Sequence, residues 1–157
     1  MVRFEAIYRD YSACSNDFSR GIEFLKQRDL YHAVDCFYTA CQCADSANPH
    51  YDMYLCYYGY ARILNGDYRA IEHCRRAAGR RREDANLYYI LARAEMFCRN
   101  RQQMIMAIAA GIKLDNQHLG LRLMRKTIAH RRFKPIPFLP RNNILNRSIG
   151  RMLRRRK

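Results

Sequence analysis

The stretch that decides the fold is "LCYYGYARILNGDYRAIEHCRRA", residues 55 to 77. Two segments with helical spacing of apolar residues flank "NGD", which is typical of a turn. Gly59 lies in the first segment, and Ala70, Cys74 and Ala77 follow it at offsets of 11, 15 and 18 residues. Because small residues let two helices approach closely, this spacing predicts a helical hairpin.

The same layout occurs on both sides of this stretch. Gly21 is followed by Ala33, Phe37 and Ala40 at offsets of 12, 16 and 19, and Ala92 is followed by Met104, Ile108 and Gly111 at the same offsets. The central copy is therefore one residue shorter, at its turn. A two-helix unit cannot bury its own apolar stripe, so three copies predict hairpins that stack on one another.

This layout resembles the tetratricopeptide repeat. The central copy has that family's large residue, apolar-Gly pair, G-D-Y and two Ala seven residues apart, and "GIKLDNQH" (111–118) is similar to its typical repeat ending. The resemblance implies an all-α, right-handed solenoid whose repeats span 14–47, 52–84 and 85–118. Asp17 and Arg20 depart from the pattern by standing where large apolar residues are usual, and "NPHY" is inserted between the first two repeats.

Three further segments flank the repeats. Residues 1–13 form a lead-in, and leucines at near-helical spacing predict a capping helix over 119–132. Three prolines in "FKPIPFLP" (133–140) then exclude a helix. The rest of the segment 133–157 is a basic tail in which apolar and arginine positions separate, which predicts a short amphipathic helix.

Residues 119–157, the capping helix and the tail together, carry almost all of the net charge of +15. Residues 1–118 contain 16 basic and 14 acidic side chains, whereas residues 119–157 contain 13 basic and no acidic ones. The tail contacts that we predict are Arg141, Arg147, Arg151, Arg154, Arg155, Arg156 and Lys157. Phosphates of RNA or DNA, an anionic membrane surface, a protein partner and self-association are all compatible with such a segment.

No catalytic or cofactor-binding motif is present. The five His residues have no partners at a recognised spacing, the seven Cys include no C-x-x-C pair, and there is no Gly-rich phosphate loop. We therefore expect no enzymatic activity, no cofactor and no metal. The chain also begins without a signal-peptide pattern, and no apolar run reaches the roughly 20 residues of a membrane span. These features predict a cytoplasmic protein.

The resemblance implies a partner-binding groove lined by the first helix of each repeat. The implied groove residues are Phe18, Ile22, Leu25, Met53, Cys56, Tyr60, Ile63, Asn86, Tyr89, Arg93 and Met96. One variant of the family clamps a terminal carboxylate, but Phe18, Ile22 and Tyr60 stand where that clamp needs polar or basic side chains. A largely apolar and aromatic lining suits an apolar peptide or helix. The predicted function is that of a protein-binding adaptor or chaperone-like module, and the alternatives are a nucleic-acid-associated protein and a peripheral membrane adaptor.

Overall fold

The computed structural model describes residues 15–130, without the side chains of residues 129 and 130. Within this range there are helices and no strand, so the all-α prediction is confirmed for it. The helices are α1 (Asn16–Gln27), α2 (Leu30–Cys43), α3 (Tyr51–Leu64), α4 (Ile71–Arg80), α5 (Ala85–Phe97), α6 (Arg101–Leu114) and α7 (Leu119–His130). The lead-in 1–13 and the tail 133–157, with all seven predicted tail contacts, lie outside the described residues.

Consecutive helices pack against each other from α1 to α6, and α3 also packs against α5. The order of contacts is compatible with a helical solenoid. Contacts place the described residues up to Met124 in one compact unit. The three hairpins α1–α2, α3–α4 and α5–α6 all belong to this unit.

The three hairpins turn in the same way. Arg28, Gly66 and Arg99 occupy the left-handed region, with φ of 64°, 99° and 60°. The next residue donates its N–H to a carbonyl five residues earlier in each turn: Asp29 to Phe24, Asp67 to Arg62 and Asn100 to Glu95, at 2.9 Å in all three cases. This is a Schellman-type helix end. Each left-handed residue comes seven positions after Gly21, Gly59 or Ala92, so the repeat in the sequence is also a repeat of backbone conformation.

The shorter turn of the central hairpin is accommodated by a 3₁₀ turn. In the other two hairpins the second α-helix begins directly after the capping residue, at Leu30 and Arg101. In the central hairpin a 3₁₀ turn over Tyr68–Ala70 comes before α4. A 3₁₀ helix has three residues per turn instead of 3.6. The turn therefore leads from the capping residue Asp67 to Ala70 in three residues, whereas the other two hairpins use four for the same step.

Glycine allows the helices of a hairpin to approach closely. A Cβ atom on Gly59 would lie 2.9 Å from the carbonyl oxygen of Ala70 and 2.8 Å from Cβ of His73. One on Gly21 would lie 2.7 Å from the ring of Phe37. Contacts this short are not tolerated, so both positions require glycine for the observed helix spacing.

A buried carboxylate connects the second hairpin to the third. Glu95 on α5 is only 1% exposed. Its oxygens accept hydrogen bonds from Nε and Nη2 of Arg75 on α4, at 2.8 and 3.2 Å, and from Nδ2 of Asn100, at 2.9 Å. Arg75 also donates to Glu72, at 2.7 Å. The guanidinium therefore fixes α4 against α5 and satisfies a charge that would otherwise be buried alone.

We predict that Gly59→Ala destabilises the protein by about 1–3 kcal/mol, because the added methyl group meets a backbone oxygen that cannot move independently of α4. Gly79→Ala is the matched control, since nothing lies within 4 Å of that position. It should stabilise the protein by about 0.5–1 kcal/mol through helix propensity. Urea unfolding of the two variants and the wild type measures both effects. Equal stability of the two variants would contradict the close approach at Gly59.

We also predict that Arg75→Ala lowers the free energy of unfolding. Removing one partner of a buried ion pair costs about 3–5 kcal/mol, and the partial exposure of Arg75 places the loss near the lower end of that range. The neighbouring Arg76 is exposed, so Arg76→Ala should change stability by less than about 0.5 kcal/mol. Thermal unfolding distinguishes the two variants. A similar Tm for both would contradict a stabilising ion pair between Arg75 and Glu95.

Candidate partner-binding surface

Eight of the eleven predicted groove residues lie in the interior and not on an accessible surface. The buried residues are Phe18, Ile22, Leu25, Cys56, Tyr60, Ile63, Asn86 and Tyr89. Only Met53, Arg93 and Met96 reach solvent. Three side chains of the expected groove lining are therefore accessible to a partner. The interactions that bury the other eight differ between the three hairpins.

In the first hairpin, aromatic packing buries the predicted residues. The ring of Phe18 lies 5.4 Å from that of Phe37, 4.8 Å from Tyr54 and 5.2 Å from Tyr57, measured between centroids. Such tilted and edge-on pairs add stabilisation to the apolar area that they bury. Phe18 thus holds the first hairpin against the second and presents no surface to a partner.

Cys56, in the second hairpin, is also a packing residue. It is fully buried, and the thiol of Cys74 donates to its carbonyl oxygen at 3.2 Å. Hydrogen bonding with Cys74 and burial both raise the pKa of the Cys56 thiol. A neutral, buried thiol is a poor nucleophile, so the position contributes to the hairpin contact and not to chemistry.

Arg93 connects the second and third hairpins through a pair of aromatic rings. Its guanidinium carbon lies 5.0 Å from the ring centroid of Tyr60 on α3 and 5.7 Å from that of Tyr89 on α5. Burial raises the pKa of both tyrosine hydroxyls, although Arg93 opposes the shift. Both side chains are neutral at physiological pH, and their rings provide a rigid base for the arginine.

His118 has a structural role that the sequence did not reveal. Its Nδ1 accepts a hydrogen bond from the backbone N–H of Leu121 at 3.3 Å, so the ring caps the start of α7. Because Nδ1 accepts, Nε2 carries the proton and donates to Oδ1 of Asn86 at 3.1 Å. This contact explains why Asn86, a predicted groove residue, is buried.

One accessible apolar surface next to the predicted groove residues lies at the end of α5. Met96 is 48% exposed and Phe97 is 43% exposed. The Phe97 ring lies 6.2 Å from the Tyr60 ring, which also contacts Arg93. We call Arg93, Met96 and Phe97 the α5 face. Phe97 was not among the predicted residues, although its position four residues after Arg93 places it on the same side of the helix.

An arginine cluster on α4 and just after it is largely engaged within the protein. It consists of Arg75, Arg76, Arg80, Arg81 and Arg82. Nε of Arg80 lies 3.6 Å from Asp52, and Nε of Arg81 lies 3.8 Å from the same carboxylate. Arg80 also lies over the ring of Tyr51, at 5.7 Å from the centroid. Together with the pairing of Arg75, these contacts use most of the cluster to join α4 to α3 and α5.

Metal-binding clusters and membrane-spanning helices are absent from the part of the chain that the structure describes. Over residues 15–130, no group of three or more His, Cys, Asp or Glu side chains is placed to hold a metal ion. No described helix has both the length and the apolar character needed to cross a membrane. Comparison with protein-family models found no matching family, and a search of curated proteins found no similar sequence. Among the eleven predicted groove residues, Met96 on the α5 face is the one with a largely exposed apolar side chain.

The hydroxyl of Tyr60 allows a test of the packing beneath the α5 face. It is buried and has no hydrogen-bond partner among the described residues, so Tyr60→Phe should increase the free energy of unfolding by about 1 kcal/mol. The Tyr54 hydroxyl accepts from the backbone N–H of Ser15 at 2.9 Å, so Tyr54→Phe should cost about 1 kcal/mol. Denaturant titration measures both. A large loss of stability in the Tyr60 variant would show that its hydroxyl is bonded.

Proposed function

We propose that this protein is a tetratricopeptide-like, non-enzymatic adaptor of the cytoplasm that binds an apolar segment of another protein on its α5 face. The assignment to this repeat class is supported by three turns with the same left-handed residue and the same hydrogen bond. The observation that carries the proposed function is the exposure of Met96 and Phe97 beside Arg93. Large apolar side chains exposed in contiguity are typical of a contact surface.

The chemistry of the α5 face specifies the kind of partner segment. Phe97 offers an aromatic surface, and Met96 is a flexible side chain that adapts to different apolar shapes. Arg93 is held in orientation by Tyr60 and Tyr89, and guanidinium groups bind carboxylates with two parallel hydrogen bonds. The expected ligand is thus a short segment with an aromatic or aliphatic residue close to an Asp or Glu.

Association with RNA or DNA is the second candidate, and it rests on the 13 basic and no acidic residues after His118. The folded part gives it less support, because Arg75, Arg80 and Arg81 form ion pairs within the protein. Binding through phosphates should weaken steeply with salt. Burial of apolar side chains on the α5 face should depend little on salt.

We predict that peptides selected from a random display library by the nuclease-treated full chain lose affinity for Phe97→Ser. The loss should be about tenfold or more, since aromatic anchors dominate such contacts. Met106→Ser is the matched control, because Met106 is an exposed apolar residue on α6. It should leave the Kd within about twofold of the wild-type value.

Fluorescence anisotropy with labelled peptides measures these affinities. Equal losses in the two variants, or none in either, would exclude the α5 face as the binding surface. Recovery of no peptide by a chain that binds RNA tightly at low salt would favour the nucleic-acid candidate instead.

A further inference from the structure

Helix α6 has apolar residues on every side. Residues 104–112, "MIMAIAAGI", contain no polar side chain. The inner side is accounted for by the packing of the third hairpin, in which Met104, Ala107, Ile108 and Gly111 are buried. A helix that is apolar all round is normally buried all round, so the opposite side of α6 needs an explanation.

The outward side of α6 is accessible. Met106 is 57% exposed, Ala109 is also exposed, and Ile105, Ala110 and Ile112 are half-buried. The corresponding side of α4 is polar, because the positions equivalent to Met106 and Ala109 hold Glu72, which is exposed, and Arg75, which pairs with Glu95. The two helices occupy equivalent positions in their hairpins, so an apolar outward side is not required by the fold. We call Gln102, Met106, Ala109 and Lys113 the α6 face, because they recur at helical spacing along its centre.

The α6 face is complementary to itself when two copies run antiparallel. In that arrangement Met106 lies opposite Ala109 of the second copy, so a large side chain meets a small one on both sides of the two-fold axis. Gln102 lies opposite Lys113 of the second copy, and its amide oxygen can accept from the ammonium group. A parallel arrangement would instead place Lys113 against Lys113 of the second copy, which is repulsive.

A charge outside the α6 face fits the same register. Arg101 is exposed, and the structure gives it no ion pair within residues 15–130. The antiparallel register brings it close to Asp115 of the second copy. Complementary charges at the ends of an apolar contact favour one register and one partner over others.

We propose that the protein self-associates through the α6 face, as an antiparallel pair of α6 helices related by a two-fold axis. One helix from each copy buries less area than the roughly 1,200 Å² of a small stable interface. The association is therefore weak, with a dissociation constant in the micromolar to millimolar range. The net charge of +15 on each copy opposes it, so it is stronger at physiological ionic strength than at low salt.

Sedimentation velocity on the full chain over a wide concentration range tests this proposal. The wild type should form dimers at high concentration, and Met106→Lys should raise the dissociation constant by about tenfold or more by placing a charge in the contact. Met96→Lys is the matched control, since it makes the same change at a half-exposed methionine on the α5 face. It should leave the dissociation constant unchanged. Circular dichroism of both variants confirms that each is folded.

Gln102 tests the register. Because it faces Lys113 of the second copy, Gln102→Glu should tighten the dimer and Gln102→Lys should weaken it, each by about twofold to tenfold. A monomeric wild type at all concentrations would overturn the proposal. So would a dimer that Met106→Lys leaves intact, or that both Met variants weaken equally. Opposite effects of the two Gln102 variants are expected for the antiparallel pair, whereas a parallel pair would place the introduced charges against each other and be weakened by both.

Discussion

The structure depends on how closely the two helices of a hairpin approach each other. At Gly21 and Gly59 the second helix lies where a side chain of the first would otherwise be. This approach brings Phe37 and Cys74 into the centre of their hairpins, where both are fully buried. The Schellman turns set the path of the chain seven residues later, so spacing and turn together define a unit that can be repeated. The third hairpin has Ala92 at the equivalent position, and it is also fully buried.

Joining the units requires interactions that the hairpins do not contain. Between the first and second hairpins these are the contacts of Phe18 with Tyr54 and Tyr57. Between the second and third they are the pairing of Arg75 with Glu95 and the position of Arg93 over Tyr60. Apolar burial is thus supplemented by charge-assisted hydrogen bonds toward the end of the array. The same interactions decide which side chains remain accessible, so the α5 face is a consequence of how the hairpins join.

The hairpins could be predicted from the sequence because their signals are local. Small residues at fixed offsets and a polar turn lie within 20 residues of each other in each copy. The accessible site could not be predicted as well. A position in a repeat specifies the side of a helix, but it does not specify how far a neighbouring side chain reaches. Arg93 covers Tyr60, and His118 reaches Asn86 from 32 residues away. Phe97 is the last residue of α5 and is 43% exposed.

Nuclear Overhauser effects in the full-length chain test the close approach of the helices most directly. The α-protons of Gly59 should show strong cross-peaks to the β-protons of His73 and Cys74, and those of Gly21 should show them to the ring protons of Phe37. These cross-peaks are expected because a Cβ atom placed on either glycine would lie 2.7 to 3.1 Å from atoms of the facing helix. If the resonances are assigned and these cross-peaks are absent, the hairpins are not packed through their glycines, and the arrangement of the α5 and α6 faces would lose its basis.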